Sequence, residues 1–551
     1  MQKNTKKALL NSLSLVFLLI TCLTVGLLYY NDRYLLDQES VSFNSASGIK
    51  LKGFYYPGTI NAGVMLLEGF GADQLMLKGF VMEFAKLGFH VFSFDFSGHG
   101  LSYGSIGFDN AATDVLAYQV LTAENIFKEK SGLLDSQILY MGHSMGSRVG
   151  LQAATIDNTI AGLILVGTSI NLDVNLQSNF FTGVRDTDLQ WIQNLNGSNP
   201  ATDVLLMSGG WDDILTPTAA NLLFEKLGGN SSPYNRELMI FDHMIHNYEI
   251  YSPRIITYAL NWAINKFSLG FGVVSASTML NRKILWSTGI VSLFSTLILF
   301  NFSLNLKKKE AEIDTLPSIT ITDTSKFLWG KILLWLFSLP LCVILAAVLS
   351  FIPIGVPVFN IIYVGFIAGY GMFMLILYRF RKKKLIPGVQ GIFKLNPNTT
   401  IPISNMFKGL GLSFGVIGMS ILFARSGIYG VFPMNFRLIW LALFTIVTIP
   451  AFYITQLEHE WIARTCRVQL TSFLHILIGY IPFILMTILF LTLGSISGMI
   501  GSIHGLIIIA LVIILGNLLR TIVKNNLFIS IIQAFLLYLL VLPQNALFAF
   551  F

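Results

Sequence analysis

Cysteine is nearly missing from this 551-residue chain: there are three, Cys22, Cys342 and Cys466, and none between residues 31 and 270. That stretch therefore has no disulfide framework, no thiolate metal site and no cysteine nucleophile. Charge is scarce too, at 12% of residues, against roughly 25% in an ordinary soluble domain. With a mean hydropathy of +0.67, a single soluble domain is excluded, and the composition is that of a chain with many bilayer-spanning segments. No glycine-rich loop followed by a phosphate-binding lysine occurs, so nothing points to nucleotide chemistry.

The scarcity of charge is uneven. Residues 31–270 carry 23 acidic and 13 basic side chains, a net of −10, whereas residues 271–551 carry 6 acidic and 20 basic, a net of +14. The pI of about 9.1 therefore belongs to the apolar part, where Lys and Arg flank hydrophobic runs. It gives no support for nucleic-acid binding.

What is present divides into three parts. Residues 1–40 hold a basic start and an apolar run from Ala8 to Tyr30, long enough to cross about 30 Å of hydrocarbon as a helix. It is read as a retained anchor rather than a signal peptide, because it exceeds a usual apolar core and has no clear small-x-small cleavage site. Residues 41–270 alternate short β-like runs with amphipathic helical stretches, the pattern of an α/β domain with a mostly parallel sheet flanked by helices. Residues 271–551 read as an all-α polytopic membrane domain with about eight further spans, near 284–302, 332–352, 358–378, 409–424, 438–455, 472–493, 503–519 and 527–542.

With the N-terminus in the cytoplasm, loops assigned inside hold 19 Lys+Arg; the outside flanks hold five, Arg33, Arg282, Lys283, Arg425 and Arg437. The positive-inside rule then places the 41–270 domain on the extracytoplasmic face of a multi-pass membrane protein. Of the polar residues in or near the spans, His475, His504 and Arg425 are read as interfacial or packing residues, and Glu458, His459 and Glu460 as part of a cytoplasmic loop. Gly365-x-x-x-Gly369, Gly494-x-x-x-Gly498 and Gly501-x-x-x-Gly505 suit close helix packing.

The strongest local signal is Gly142-His-Ser-Met-Gly146, lying between the strand-like Gln137–Met141 and a helical run from Ser147. In that setting the glycines permit a tight turn that holds the Ser144 hydroxyl out from the sheet, at the positive end of a helix. A serine hydroxyl needs a base to take its proton, and the imidazolium so formed needs a carboxylate. Candidates follow along the chain. Val204–Ser208 reads as a strand with Asp212 and Asp213 just beyond it, and Leu238–Phe241 is another, with His243 and His246 beyond it.

Five ordered stretches make residues 48–268 resemble an α/β-hydrolase of the monoglyceride-lipase and serine-aminopeptidase-like group. They are Leu67-Glu-Gly-Phe-Gly71, Asp95-Phe-Ser-Gly-His-Gly-Leu-Ser102, Gly142–Gly146, Gly209-Gly-Trp-Asp212 with Pro217, and His246. The resemblance implies Ser144 as nucleophile, Asp212 as acid and His246 as general base, favoured over Asp213 and His243. It also implies an oxyanion hole formed by the backbone N–H groups of Met145 and Phe70. Glu68 departs from the histidine common at that position. A carboxylate facing the oxyanion would oppose it, so Glu68 is expected to turn away or bond within its loop. His99 is read as a turn residue and His143 as pointing away from the site.

Residues 168–202 are expected to form a small cap carrying Phe180, Phe181 and Trp191, which line either an acyl pocket or the cap's own core. No metal site is expected, and the chemistry needs no cofactor. The expected activity is serine hydrolysis of a carboxylic ester, with amide or thioester as lesser alternatives, on a small-molecule or lipid-like substrate. The competing expectation is a transporter or sensor whose exported domain binds a ligand without turnover.

Overall fold

The computed structural model describes the chain apart from residues 1–2, 36, 108–109, 173–184, 306–320, 353, 381–401, 428–434, 466–483, 485–486, 489–490, 524, 543–546 and 549–551. Eight strands form one sheet: β1 Glu39–Asn44, β2 Lys50–Tyr56, β3 Gly63–Leu67, β4 His90–Asp95, β5 Ile138–His143, β6 Gly162–Val166, β7 Asp203–Gly209 and β8 Arg236–Phe241. Their order is β1-β2-β4-β3-β5-β6-β7-β8. The pairs from β4 through β8 are parallel, and β1 and β2 complete one edge antiparallel.

Side chains alternate across this sheet. Met65, Leu67, Phe92, Phe94 and Tyr140 join one core, while Val64, Leu66, Val91, Leu139 and Met141 join the other. The central strands are therefore apolar on both faces, as a parallel sheet covered by helices requires. The covering helices include Lys78–Lys86, Asn110–Ser131, Met145–Ile156, Pro217–Lys226 and Pro253–Lys266. Two of them start where the sequence says they should. Thr216 Oγ1 accepts the Ala219 N–H ahead of Pro217, and Ser252 Oγ accepts the Ile255 N–H ahead of Pro253, each satisfying a donor that the first helical turn leaves open.

Among the described residues, seven helices are long and apolar enough to cross a membrane: Asn4–Asn31, Ser277–Leu304, Trp329–Ser350, Asn360–Leu377, Ile403–Phe423, Arg437–His459 and Gly505–Ile522. Asn526–Val541 is apolar but shorter. Most of the span expected near 472–493 lies outside the described residues, with His475, as do the side chains of Arg425 and His504. The helix Lys3–Asn31 packs along Ser277–Asn305, and Arg282 forms an ion pair with Asp32.

Two expectations for this half are corrected. Glu458 and His459 belong to no loop, since the helix Arg437–Thr465 runs through both. Glu458 is buried against Lys331 at 2.6 Å and accepts the Tyr370 hydroxyl at 3.1 Å; a carboxylate removed from water needs such partners. Gly365 and Gly369 do pack closely, a Cβ on either striking Cys342 or Ala346 of the preceding helix, whereas Gly494 has φ +73° in a turn, and a Cβ there meets nothing among the described residues.

Candidate active site

Ser144 sits between β5 and the helix Met145–Ile156 with φ 55° and ψ −117°. Such a conformation costs a non-glycine residue about 1–3 kcal/mol. It persists because the neighbours leave the turn no alternative. A Cβ on Gly142 would strike the Gly146 backbone, and one on Gly146 would strike the carbonyls of Leu67 and Glu68. Ser144 N–H donates to Val166 O at 2.9 Å, and Ser147 Oγ bonds Gly142 O at 2.7 Å. The half-buried Ser144 side chain is thus lifted from the sheet at a helix N-terminus.

β7 and β8 deliver the partners. His246 Nε2 lies 3.0 Å from Ser144 Oγ, and its Nδ1 lies 2.8 Å from Asp212 Oδ2. Asp212 and His246 are both buried. Asp212 Oδ1 accepts N–H bonds from Ile214 at 2.9 Å and Leu215 at 2.7 Å, so the carboxylate is oriented before it meets the imidazole. With Nδ1–H donated to Asp212, Nε2 is left to accept the serine proton.

The two rejected neighbours stand apart. His243 is exposed, has φ 58° and meets the Trp211 ring edge-on at 4.7 Å. Asp213 Oδ2 accepts the Ser495 hydroxyl at 3.1 Å, a contact with the apolar helical half.

The loop after β3 lies against the elbow: a Cβ on Gly69 would come within 3.3 Å of Ser144 Cβ and 3.0 Å of His143 Nδ1. Phe70 and Met145, the expected oxyanion donors, thus flank Ser144 on that loop and at the helix start. Glu68 is fully buried and turned aside, its Oε1 accepting the Phe96 N–H at 2.8 Å at the end of β4. That acceptance runs to the neighbouring strand rather than within its own loop. Burial, and then the Asp95 carboxylate, push the Glu68 carboxyl well above its usual range. His99 is buried beside Phe70 and Phe96 and bonds Ser97 O at 3.1 Å; burial pushes it down to about 4.

His143 requires a correction. It does not point away: its ring stacks on His246 at 4.8 Å between centroids, with Nε2 3.3 Å from His246 O. Behind both lies Glu249, which no sequence argument selected. Its Oε1 accepts the Gly209 N–H at 2.6 Å, while Oε2 lies 3.4 Å from His143 Nε2 and 3.6 Å from His246 Nδ1. Gly167, with φ +53°, makes room for it, since a Cβ there would collide with Glu249 Oε2. Burial, and then the Asp212 carboxylate, hold the Glu249 carboxyl well above its usual range, outweighing the Gly209 N–H. Burial, followed by His246, holds His143 well below its own. The one available signal was the spacing of Glu249, one helical turn after His246.

His143, His246 and Glu249 carry ligand atoms within 4.8 Å of one another. They fit a metal poorly, because His246 Nδ1 is already bonded to Asp212 and Glu249 Oε1 to the Gly209 N–H. Of the cap, Phe180 and Phe181 lie outside the described residues. Trp191 packs on the domain core, with the Arg148 guanidinium 5.5 Å over its ring, and Arg148, on the helix Met145–Ile156, pairs with Asp186 at 2.7 Å.

Residues 58–200 match the family model described as serine aminopeptidase, S33. The match includes Ser144 and Phe70 and ends before Asp212 and His246. No curated protein matches the chain. Among solved structures, an esterase from Pyrococcus furiosus is 17% identical, covering 42% of this chain and 93% of its own, with a TM-score of 0.35. A thermostable carboxyl esterase from Bacillus coagulans, in complex with glycerol, is 18% identical over 43% and 99%, with a TM-score of 0.33. The α/β hydrolase GrgF from Penicillium sp. sh18 is 18% identical over 42% and 100%, with a TM-score of 0.34.

Proposed function

With residues 58–200 matching a serine-aminopeptidase family model and β1–β8 forming one mostly parallel sheet, we propose that this chain is a membrane-embedded serine hydrolase that cleaves carboxylic esters, with amides and thioesters as secondary substrates, through an acyl-enzyme. The observation that carries the reading is the continuous chain Ser144 Oγ, His246 Nε2, His246 Nδ1, Asp212 Oδ2, with links of 3.0 and 2.8 Å.

In the first step Ser144 Oγ attacks the ester carbonyl carbon while His246 Nε2 takes its proton. Asp212 stabilises the imidazolium, and the N–H groups of Met145 and Phe70 receive the oxyanion; one such donor is worth about 10²-fold or more in rate. Collapse of the tetrahedral adduct breaks the carbon–oxygen bond to the alcohol, which leaves with the proton held on Nε2. A water then gives its proton to His246 and attacks the acyl carbon, and the acid departs as Ser144 recovers its proton.

Charge distribution favours an extracytoplasmic domain, through the positive-inside rule. A lipid-like ester is supported by the surface beside the acid: Trp211 and Ile214 are about half exposed, next to the Asp213–Ser495 contact with the membrane half. A fluorophosphonate probe tests the chemistry. Labelling of the wild type that is lost in Ser144→Ala supports a hydrolase. A folded wild type that takes no label overturns it in favour of a ligand-binding transporter or sensor domain.

A further inference from the structure

Leu547 and Phe548 belong to different halves of the molecule although they are consecutive. Leu547 N–H donates to Gly98 O and its carbonyl accepts the Ile106 N–H, both at 2.8 Å, so its backbone is bound by the hydrolase domain. Its side chain lies in the membrane-domain core. Phe548 reverses this arrangement. Its N–H and carbonyl pair with Val356 of the membrane half at 2.9 and 2.8 Å, while its ring is buried in the hydrolase core, 5.0 Å from the ring of Phe70.

The turn beside this contact is held from the same side. Arg437, at the start of a membrane helix, donates to Gly98 O at 2.6 Å and Gly100 O at 3.1 Å. Asn435 donates to Ser102 O at 3.0 Å and Leu101 O at 3.3 Å. That turn carries His99, whose ring also meets Phe70, edge-on at 6.4 Å. The Glu68–Gly69–Phe70 loop is therefore anchored twice. Glu68 pins its start to Phe96 within the hydrolase domain, and Phe548 seats its end from the membrane domain.

We propose that Phe548 is a positioning residue of the active site: by seating the Phe70 ring it aims the Phe70 N–H at the developing oxyanion, which makes turnover depend on the membrane domain. The inference rests on the hydrolase reading above. Donors of this kind act only if they are aimed before the reaction, and an N–H on a loop is aimed by whatever fixes that loop.

The test uses the full chain in detergent micelles or nanodiscs, with p-nitrophenyl butyrate as the ester. Phe548→Ala lowers kcat by about 10²-fold, the scale of one oxyanion donor, with little change in KM and a matching loss of affinity for a trifluoromethyl ketone. Phe548→Leu, which restores apolar bulk, recovers most of kcat. Phe70→Ala trims the same contact from its other side and gives the same split, and the double variant is no worse than either single one. This holds even where Phe548→Ala folds poorly. An unchanged kcat in folded Phe548→Ala, or a rise in KM alone, overturns the positioning role and leaves the hydrolase reading standing. Absence of Ser144-dependent turnover in the wild type overturns both.

Discussion

Glu249 Oε2 stands 3.6 Å from His246 Nδ1, so the imidazole that bonds Asp212 at 2.8 Å has a second carboxyl group at its back. Two ionised carboxylates in so dry a place would repel one another, and burying an unpaired one costs several kcal/mol. Burial and the Asp212 carboxylate raise the Glu249 carboxyl well above its usual range, which eases that conflict beside the imidazole.

Glu249→Gln keeps an acceptor for the Gly209 N–H, so turnover stays close to wild type. Its stability shows the difference. Unfolded, Glu249 releases its proton near its ordinary 4.5, whereas folded it does so at much higher pH. Between the two the folded chain binds more protons, and wild-type stability falls as pH rises. Glu249→Gln lacks that slope, so its melting temperature gains on wild type between pH 5 and 8. A melting temperature of Glu249→Gln that falls relative to wild type as pH rises, or activity lost as severely as in Asp212→Asn, contradicts the assignment.

The neighbouring pairs separate by function. Asp212→Asn lowers kcat on the order of 10⁴-fold, and His246→Ala abolishes Ser144-dependent turnover. Asp213→Asn and His243→Ala keep most of it, because one side chain faces Ser495 and the other Trp211. Steady-state kinetics on the four variants checks the set; a dead His243→Ala with an active His246→Ala moves the base by three residues.

Glu68→Gln retains the acceptor for Phe96 N–H and leaves activity near wild type, since the side chain is turned to β4 and not toward Ser144. Glu68→Ala orphans that N–H and costs about 1–3 kcal/mol, read as a lower melting temperature. Faster turnover in Glu68→Gln would mean that the carboxyl had opposed the oxyanion.

Orientation is read on intact cells. A membrane-impermeant fluorophosphonate labels Ser144 without permeabilisation if the hydrolase domain lies outside. Labelling only after the membrane is opened reverses the topology.

Much of the fold was legible because its causes are local. Alternation and apolar runs mark the strands, Thr216–Pro217 and Ser252–Pro253 start helices, and Gly142–Gly146 sets an elbow that admits few conformations. Strand ends offered Ser144, two aspartates and two histidines as candidates, and the choice of Asp212 and His246 among them came from the family resemblance, not from local pattern. His143 was misread because side-chain direction at the elbow depends on what packs behind it, here Glu249 and Gly167. Glu458 was read as a loop residue because hydropathy alone does not see Lys331 and Tyr370, which lie on other helices.

By itself the sequence determined the two-part composition, the strands and the residue types able to carry acyl transfer, since propensity, periodicity and charge act over a few residues. Tertiary structure alone decided that Glu249 backs His246, that Glu68 turns to Phe96, and that Phe548 reaches Phe70 across more than 400 residues of chain. Those contacts are set by how separately folded pieces pack, and no local pattern encodes the distance between them.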